Sequence, residues 1–203
     1  KIKATQSYWN YSWGMELVDQ QPAKMEFMPM AWGAWGMDGF VQSVRKHIVP
    51  QIKSGTTKRV LGFNEPDKKE QANMPYKAAL KYWPVLEELG VPLCSPACAN
   101  PLSDIDESTQ GVRGTWMRDF MREADKRNYR IDYIGVHWYG SISPRAFKER
   151  MVQVYEAYAR RPLLISEFAV ADWGAKTVGQ NNHSPDEVLK FMKNVLPWME
   201  KQN

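Results

Sequence analysis

Two glutamates stand where apolar runs end. In RVLGFNEPD (59–67) the run closes on Asn64 and Glu65 and is sealed by Pro66; in PLLISEFAV (162–170) a second run closes on Glu167. In parallel α/β folds the groups that do chemistry project from the C-terminal ends of strands. Two carboxylates delivered that way suit cleavage of a glycosidic bond. One must be protonated to serve the leaving oxygen, and the other must stay ionised to attack the anomeric carbon; their mutual repulsion helps to keep the first one protonated. A separation of about 5–5.5 Å retains the anomeric configuration and a larger one inverts it. The remaining strand ends carry Asn10 and Trp13, Trp32 and Trp35, and His137, Trp138 and Tyr139, with Asp172 and Trp173 just beyond Glu167. Indole faces can cover the apolar faces of sugar rings while polar groups take the hydroxyls. Period-two alternation puts Glu65 with Leu61 and Phe63, and Glu167 with Leu163 and Ile165, so both acids are expected to cap one inward-facing layer.

Each glutamate also has a plainer reading, as a helix-cap partner or half of a salt bridge. Two metal groupings compete as well. Cys94, Cys98 and His137 lack a further ligand at convincing spacing. Asp67, His137 and His183 would make a metal-dependent hydrolase, which chelators would inhibit. Trp83, Trp116 and Trp198 fall in helical segments and read as core, not as sugar platforms.

The elements that must position these residues recur along the chain. Strand candidates are SYWNYSWG (7–14), MEFMPMAW (25–32), RVLGFNEP (59–66), VPLCSPAC (91–98), IDYIGVHWYG (131–140) and PLLISEFAV (162–170). Helical patterns fall between them. One covers 40–52, with Pro50 expected to end its regular part, and one covers 75–89, with Pro75 in the first turn, a kink or break at Pro84 and Gly90 as C-terminal cap. Residues 113–127 carry Trp116, Phe120 and Ala124 on one stripe, and 144–160 follow Ser143 as N-cap. The last helix opens on Ser184, Pro185 and Glu187, a capping box. Strand and helix alternating at this spacing predict parallel α/β units in a single domain, 1–203, as a doubly wound sheet or a (β/α)8 barrel. GAWGMDG lacks the spacing and the basic residue of a phosphate loop.

Composition narrows the partners. The chain has 203 residues, of which 43% are hydrophobic and 25% charged, enough for one domain with a real core. Its net charge of +4 comes from residues spread along the chain, with no basic cluster interleaved with aromatics, so no nucleic-acid partner is expected. The apolar runs are far shorter than a membrane span, and the chain does not open on a signal peptide. Cys94 and Cys98, four residues apart on one strand, would lie about 13 Å from each other, so they are expected to be buried free thiols. Nine tryptophans exceed what such a core needs.

The motifs PMAWG, LGFNEPD, QANM, VHWYG, SEFAV and a final PWM, in this order from about Ser7 to Trp198, resemble glycoside hydrolase family 128, endo-β-1,3-glucanases of clan A. NEP alone is shared across the clan; the longer LGFNEPD with HWYG and SEF is more specific. The resemblance implies a compact (β/α)8 TIM-type barrel, a retaining mechanism on β-1,3-glucan, no cofactor, and a secreted protein. It also implies roles: Glu65 as acid/base, Glu167 as nucleophile, Asn64 on the sugar's 2-hydroxyl, and His137, Trp138 and Tyr139 lining the cleft. Trp32, Trp35 and Trp173 would be further sugar contacts. Tyr139 or His137 could donate to Glu167 and keep it ionised. Six strand candidates stand against the family's eight: the opening strand is missing or reduced to 1–4, and the last would follow residue 203. Both losses fall at one seam, where a second copy of the chain or a rearranged segment is expected to cover exposed edges. The competing reading is a non-catalytic β-glucan-binding protein on an incomplete barrel.

Overall fold

A computed structural model describes residues 7–102 and 116–202. Each of the six predicted segments contains one strand: β1 (Trp9–Asn10), β2 (Glu26–Phe27), β3 (Val60–Leu61), β4 (Leu93–Cys94), β5 (Ile134–Gly140) and β6 (Leu163–Val170). Parallel ladders join β1 to β2, β3 to β4 and β5 to β6. Single parallel bridges, Met30 with Leu61 and Cys94 with Tyr133, connect the pairs, so the strands neighbour one another in chain order. The architecture is α/β with short parallel strands and a helix between most of them. Among the described residues no ladder joins β6 back to β1. The possible opening strand at 1–4 and the first residues of the helix predicted from 113 lie outside the described residues.

Two helices depart from expectation at their prolines. Helical backbone runs without interruption through α1 (Met37–Ser43), a π turn (Val44–Ile48) and α2 (Val49–Lys53), so Pro50 does not end it. Pro50 falls in the first turn of α2, where the wider π turn has already shifted the hydrogen-bond register and a missing N–H is harmless. α3 (Tyr76–Glu87) likewise continues through Pro84, held by Trp83, which is fully buried and donates its indole N–H to the Arg130 carbonyl at 3.1 Å. Pro75 is the N-cap of α3 and not its first helical residue, and Gly90, with φ +72°, closes the other end. α4 (Trp116–Lys126), α5 (Pro144–Ala157) and α6 (Pro185–Met199) follow the predicted stripes and caps. The Ser184 hydroxyl accepts from Glu187 N–H, and Glu187 in turn accepts from the Ser184 N–H. No helix among the described residues is long and apolar enough to cross a membrane.

The core has two faces. A large cluster sits between strands and helices, and aromatic contacts run through it from Phe40 to Phe63, Trp83, Phe120 and Trp116. Phe147 of α5 is a second hub, meeting Trp138 of β5, Phe168 of β6, and Phe191 and Trp198 of α6. Such pairs add about 0.5–1.5 kcal/mol each beyond their buried area. The smaller cluster is made by strands and their ends alone: Met28, Met30, Leu61, Cys94 and Leu164. Membership of one cluster or the other tells which way a strand residue points. Cys94 belongs to the inner cluster and Cys98 to the outer, both as buried free thiols.

Candidate active site

Neither glutamate reaches its position by simple alternation. In β3, Leu61 points inward, yet Phe63 packs outward on Phe40 and Trp83, so Leu61, Phe63 and Glu65 do not form one inward ladder. The break falls at Gly62, whose Cα passes so close to β4 that a Cβ would lie 2.8 Å from the Cys94 carbonyl oxygen. In β6, Leu163 and Ile165 also belong to the outer cluster and Leu164 to the inner. The β5–β6 register pairs Val136 with Ile165 and then His137 with Glu167, leaving Ser166 over. This one-residue bulge reverses the alternation, so that Glu167 turns inward while Phe168 faces Phe147. β5 keeps its alternation, with Ile134, Val136 and Trp138 against the helices and His137 and Tyr139 on the glutamate side.

These offsets bring both acids to one imidazole. His137 Nδ1 lies 2.8 Å from Glu65 Oε1 and 3.6 Å from Glu167 Oε2. One ligand-type atom from each of the three residues lies within 4.8 Å of those of the other two. Glu167 is surrounded by donors. Tyr11 Oη donates to Oε1 at 2.9 Å, Trp13 Nε1 to Oε1 at 2.6 Å, and Tyr139 Oη to Oε2 at 2.7 Å. Two of these come from the segment just after β1, so that segment and β6 meet at this carboxylate. Glu65 has φ +38° and Trp13 φ +49°, left-handed backbone that costs a non-glycine residue about 1–3 kcal/mol and clusters at functional sites.

The electrostatics separate the two acids' surroundings. Burial pushes the Glu167 carboxyl up, but the His137 charge and the hydrogen bonds from Tyr139, Trp13 and Tyr11 outweigh it, and the net displacement is downward. Glu167 is thereby held as a carboxylate. The same contacts, added to burial, raise the Tyr11 and Tyr139 phenols, which stay protonated donors. Asp67, just past Glu65, is pushed up to about 6 by burial, against the pull of backbone N–H groups from Ala99 and Asn100.

The other predicted contacts divide. Asn64 is buried beside Glu65; its Nδ2 donates to Gln71 Oε1 at 3.0 Å, and its Oδ1 has no protein partner. The Asn64 N–H donates to the Trp32 carbonyl, and the Trp32 and Trp35 rings lie 5.7 Å apart, Trp35 being 71% exposed. Trp173, 79% exposed, donates its indole N–H to the Tyr139 carbonyl at 3.2 Å. Trp138 is not with them: it packs on Phe147 in the helix layer, as the alternation of β5 requires. Neither predicted metal trio is gathered. Cys94 and Cys98 lie on opposite faces, Asp67 is bound to backbone N–H groups, and among the described residues the convergent set is Glu65, His137 and Glu167. Three donors already point at Glu167, an arrangement for a hydrogen-bonded carboxylate rather than a cation ligand. Tyr11 was missed. The alternation of Trp9, Tyr11 and Trp13 in SYWNYSWG placed it on one face with Trp13, and was the signal for it. A separate groove of about 470 Å³ lies at the seam, between Trp9 of β1, Leu163–Ile165 of β6 and Trp198 of α6, away from the glutamates.

Comparisons with known proteins place the chain in a family. The family model described as glycosyl hydrolase catalytic core matches residues 1–203. An endo-β-1,3-glucanase of glycoside hydrolase family 128, subgroup I, from Amycolatopsis mediterranei, in complex with laminaripentaose, is 29% identical. The match covers 98% of this chain and 77% of that one, with TM-score 0.78. A second structure of that enzyme, with laminaritriose and laminaribiose, is 30% identical over 96% of this chain and 75% of that one, with TM-score 0.76. The subgroup II endo-β-1,3-glucanase from Sorangium cellulosum, at 22% identity over 95% of this chain and 74% of that one, has TM-score 0.68 and speaks for the fold alone. Among curated proteins none matches.

Proposed function

Because the chain belongs to glycoside hydrolase family 128, with a glycosyl hydrolase catalytic core spanning it, we propose that it cleaves β-1,3-glucan internally, by a retaining double displacement. The observation that carries this reading is the pair of carboxylates sharing His137, one of them held ionised by three donors. Oxygens within 4.8 Å of each other suit the short separation of a retaining pair, with no room for a water between Glu167 and the sugar. In the first step Glu167 attacks the anomeric carbon, the glycosidic C–O bond breaks, and the Glu65 proton passes to the leaving oxygen. In the second, Glu65 takes a proton from water, whose oxygen displaces Glu167 from the sugar. The Asn64 Oδ1, buried without a protein partner, is free to accept from a sugar hydroxyl in both steps. Trp35, beside Trp32, and Trp173, beside Tyr139, are exposed and offer stacking faces for neighbouring glucose units.

In the same reading the six parallel strands are the larger part of a (β/α)8 barrel, supported by their chain-order adjacency and by the hydrogen bonds that the segment after β1 makes to Glu167 of β6. From the family resemblance we also propose that the protein is secreted. The test is release of reducing ends from laminarin. Glu167→Gln should reduce it to background, and Glu65→Gln by about 10²–10⁴-fold; undiminished activity in either variant sinks the assignment. The absence of a ladder from β6 to β1 among the described residues favours one second reading, a glucan-binding protein that retains laminarin and releases no sugar. The wild-type assay separates the two.

A further inference from the structure

Asp67 is a carboxylate that the proposed reaction does not use, yet it is among the most buried charged groups described, 1% exposed. Both of its oxygens are engaged: Oδ1 accepts the Ala99 N–H and Oδ2 the Asn100 N–H, each at 2.9 Å. Those donors belong to the loop that follows β4. On the other side of the clamp is the turn that carries Glu65. Its backbone is tied to the same neighbour, since the Glu65 N–H donates to the Ala97 carbonyl at 2.8 Å and Ala97 N–H to the Phe63 carbonyl at 3.0 Å. The turn then closes on itself through Lys68 N–H to the Glu65 carbonyl, Ala72 N–H to the Asn64 carbonyl and Met74 N–H to the Pro66 carbonyl. Beyond Asn100 the loop is gripped again, where the Tyr158 hydroxyl donates to the Pro101 carbonyl.

We infer that Asp67 is the positioning residue of the acid/base: by clamping the loop after β4 to the turn after β3, it holds Glu65 in its left-handed backbone at hydrogen-bond distance from His137. The strained φ of Glu65 persists only where its surroundings over-determine it, and the Asp67 carboxylate is the side-chain part of those surroundings. An acceptor with two charged oxygens can serve two adjacent N–H groups at once. An amide of the same shape offers one acceptor and turns an NH₂ toward the other donor. The inference rests on Glu65 being the acid/base. It predicts a defect in proton delivery, not a general loss of the site.

The experiment compares wild type, Asp67→Asn and Glu65→Gln on two substrates: laminarin, whose departing sugar needs a proton, and dinitrophenyl β-laminaribioside, whose leaving group does not. The readout is kcat/KM, which reports the glycosylation step, normalised to the folded fraction by circular dichroism. Asp67→Asn should lose about 10–100-fold on laminarin, the scale of a misplaced reacting group, and less than about 3-fold on the dinitrophenyl substrate. Added azide should raise its dinitrophenyl turnover, because azide attacks the glycosyl-enzyme without a base. Asp67→Glu, which keeps two charged oxygens, should recover part of the laminarin activity. Equal losses on both substrates, or no loss on either, overturn the inference. If Glu65→Gln itself loses equally on both, the acid/base assignment fails, and the role of Asp67 fails with it.

Discussion

At the scale of single residues, what distinguishes the two acids is the donors around them. Glu167 receives two phenols and an indole, and those contacts, with the His137 charge, hold it below the ordinary carboxylate range against the effect of burial. Activity requires Glu167 ionised, so the acidic limb of the kcat/KM profile marks its protonation. Removing one donor weakens the hold on the carboxylate and raises its pKa, which moves that limb to higher pH. Tyr139→Phe should shift it upward. A pH titration of laminarin hydrolysis checks this, and a limb that stays put or moves down contradicts the role of Tyr139. Glu65, Glu167, His137 and Tyr139 were legible from residue type alone, because carboxylates and donors at strand ends are uncommon and the motifs around them are specific. Tyr11 was not singled out and Asp67 only as a metal-ligand candidate, since an aromatic just past a short first strand and an acid after NEP each have many ordinary uses.

At the scale of elements, the positions of all six strands could be read from apolar runs, but their facing could not. Alternation counted through β6 is wrong by one residue, because a bulge leaves no mark in hydrophobic periodicity, and past β3 it wrongly puts Phe63 on the face that Leu61 and Glu65 share. Gly62 hints at one offset; Ser166 hints at nothing. The prolines misled for a related reason. A π turn and a well-packed Trp83 let helices continue through Pro50 and Pro84, and these are tertiary answers to a local rule. Deleting Ser166 tests the second offset directly. The shortened β6 would place Glu167 directly after Ile165, still opposite His137 on the inner face, so laminarin hydrolysis should stay within roughly tenfold of wild type while the helical circular dichroism signal persists. Activity below roughly 1% of wild type with the fold intact would mean that the extra residue is needed to aim Glu167.

At the scale of the whole molecule, the strand series is held in order by sparse backbone bridges and a thick helix layer, while the segment after β1 reaches β6 through side chains at Glu167. A glucan laid across that meeting point, between Trp35 and Trp173, ties elements from both ends of the chain and should stabilise the fold as a unit. With the Glu167→Gln variant and laminaripentaose at about 100 times its Kd, the added stability is about 2.7 kcal/mol, which raises Tm by about 5–10 °C for a domain of this size. Calorimetry with cellopentaose, its β-1,4-linked counterpart, provides the control; no shift with the first sugar, or an equal one with the second, contradicts the β-1,3 reading. The seam groove beside Trp9 and Trp198 belongs to this scale too, since its lining comes from the elements that flank the unjoined edges.

The residue left over in β6 also has a meaning for heredity. Most positions matter for the side chain they carry, and a substitution is how they fail. Ser166 matters as slack: the pairs on either side of it, Val136 with Ile165 and His137 with Glu167, are those of an unbroken ladder. A lineage can exchange the serine, or lose its codon, and keep the nucleophile opposite the same histidine. The length of β6 can therefore drift by one residue there without re-aiming the nucleophile, and a one-residue gap at this point between two sequences is no sign of lost chemistry.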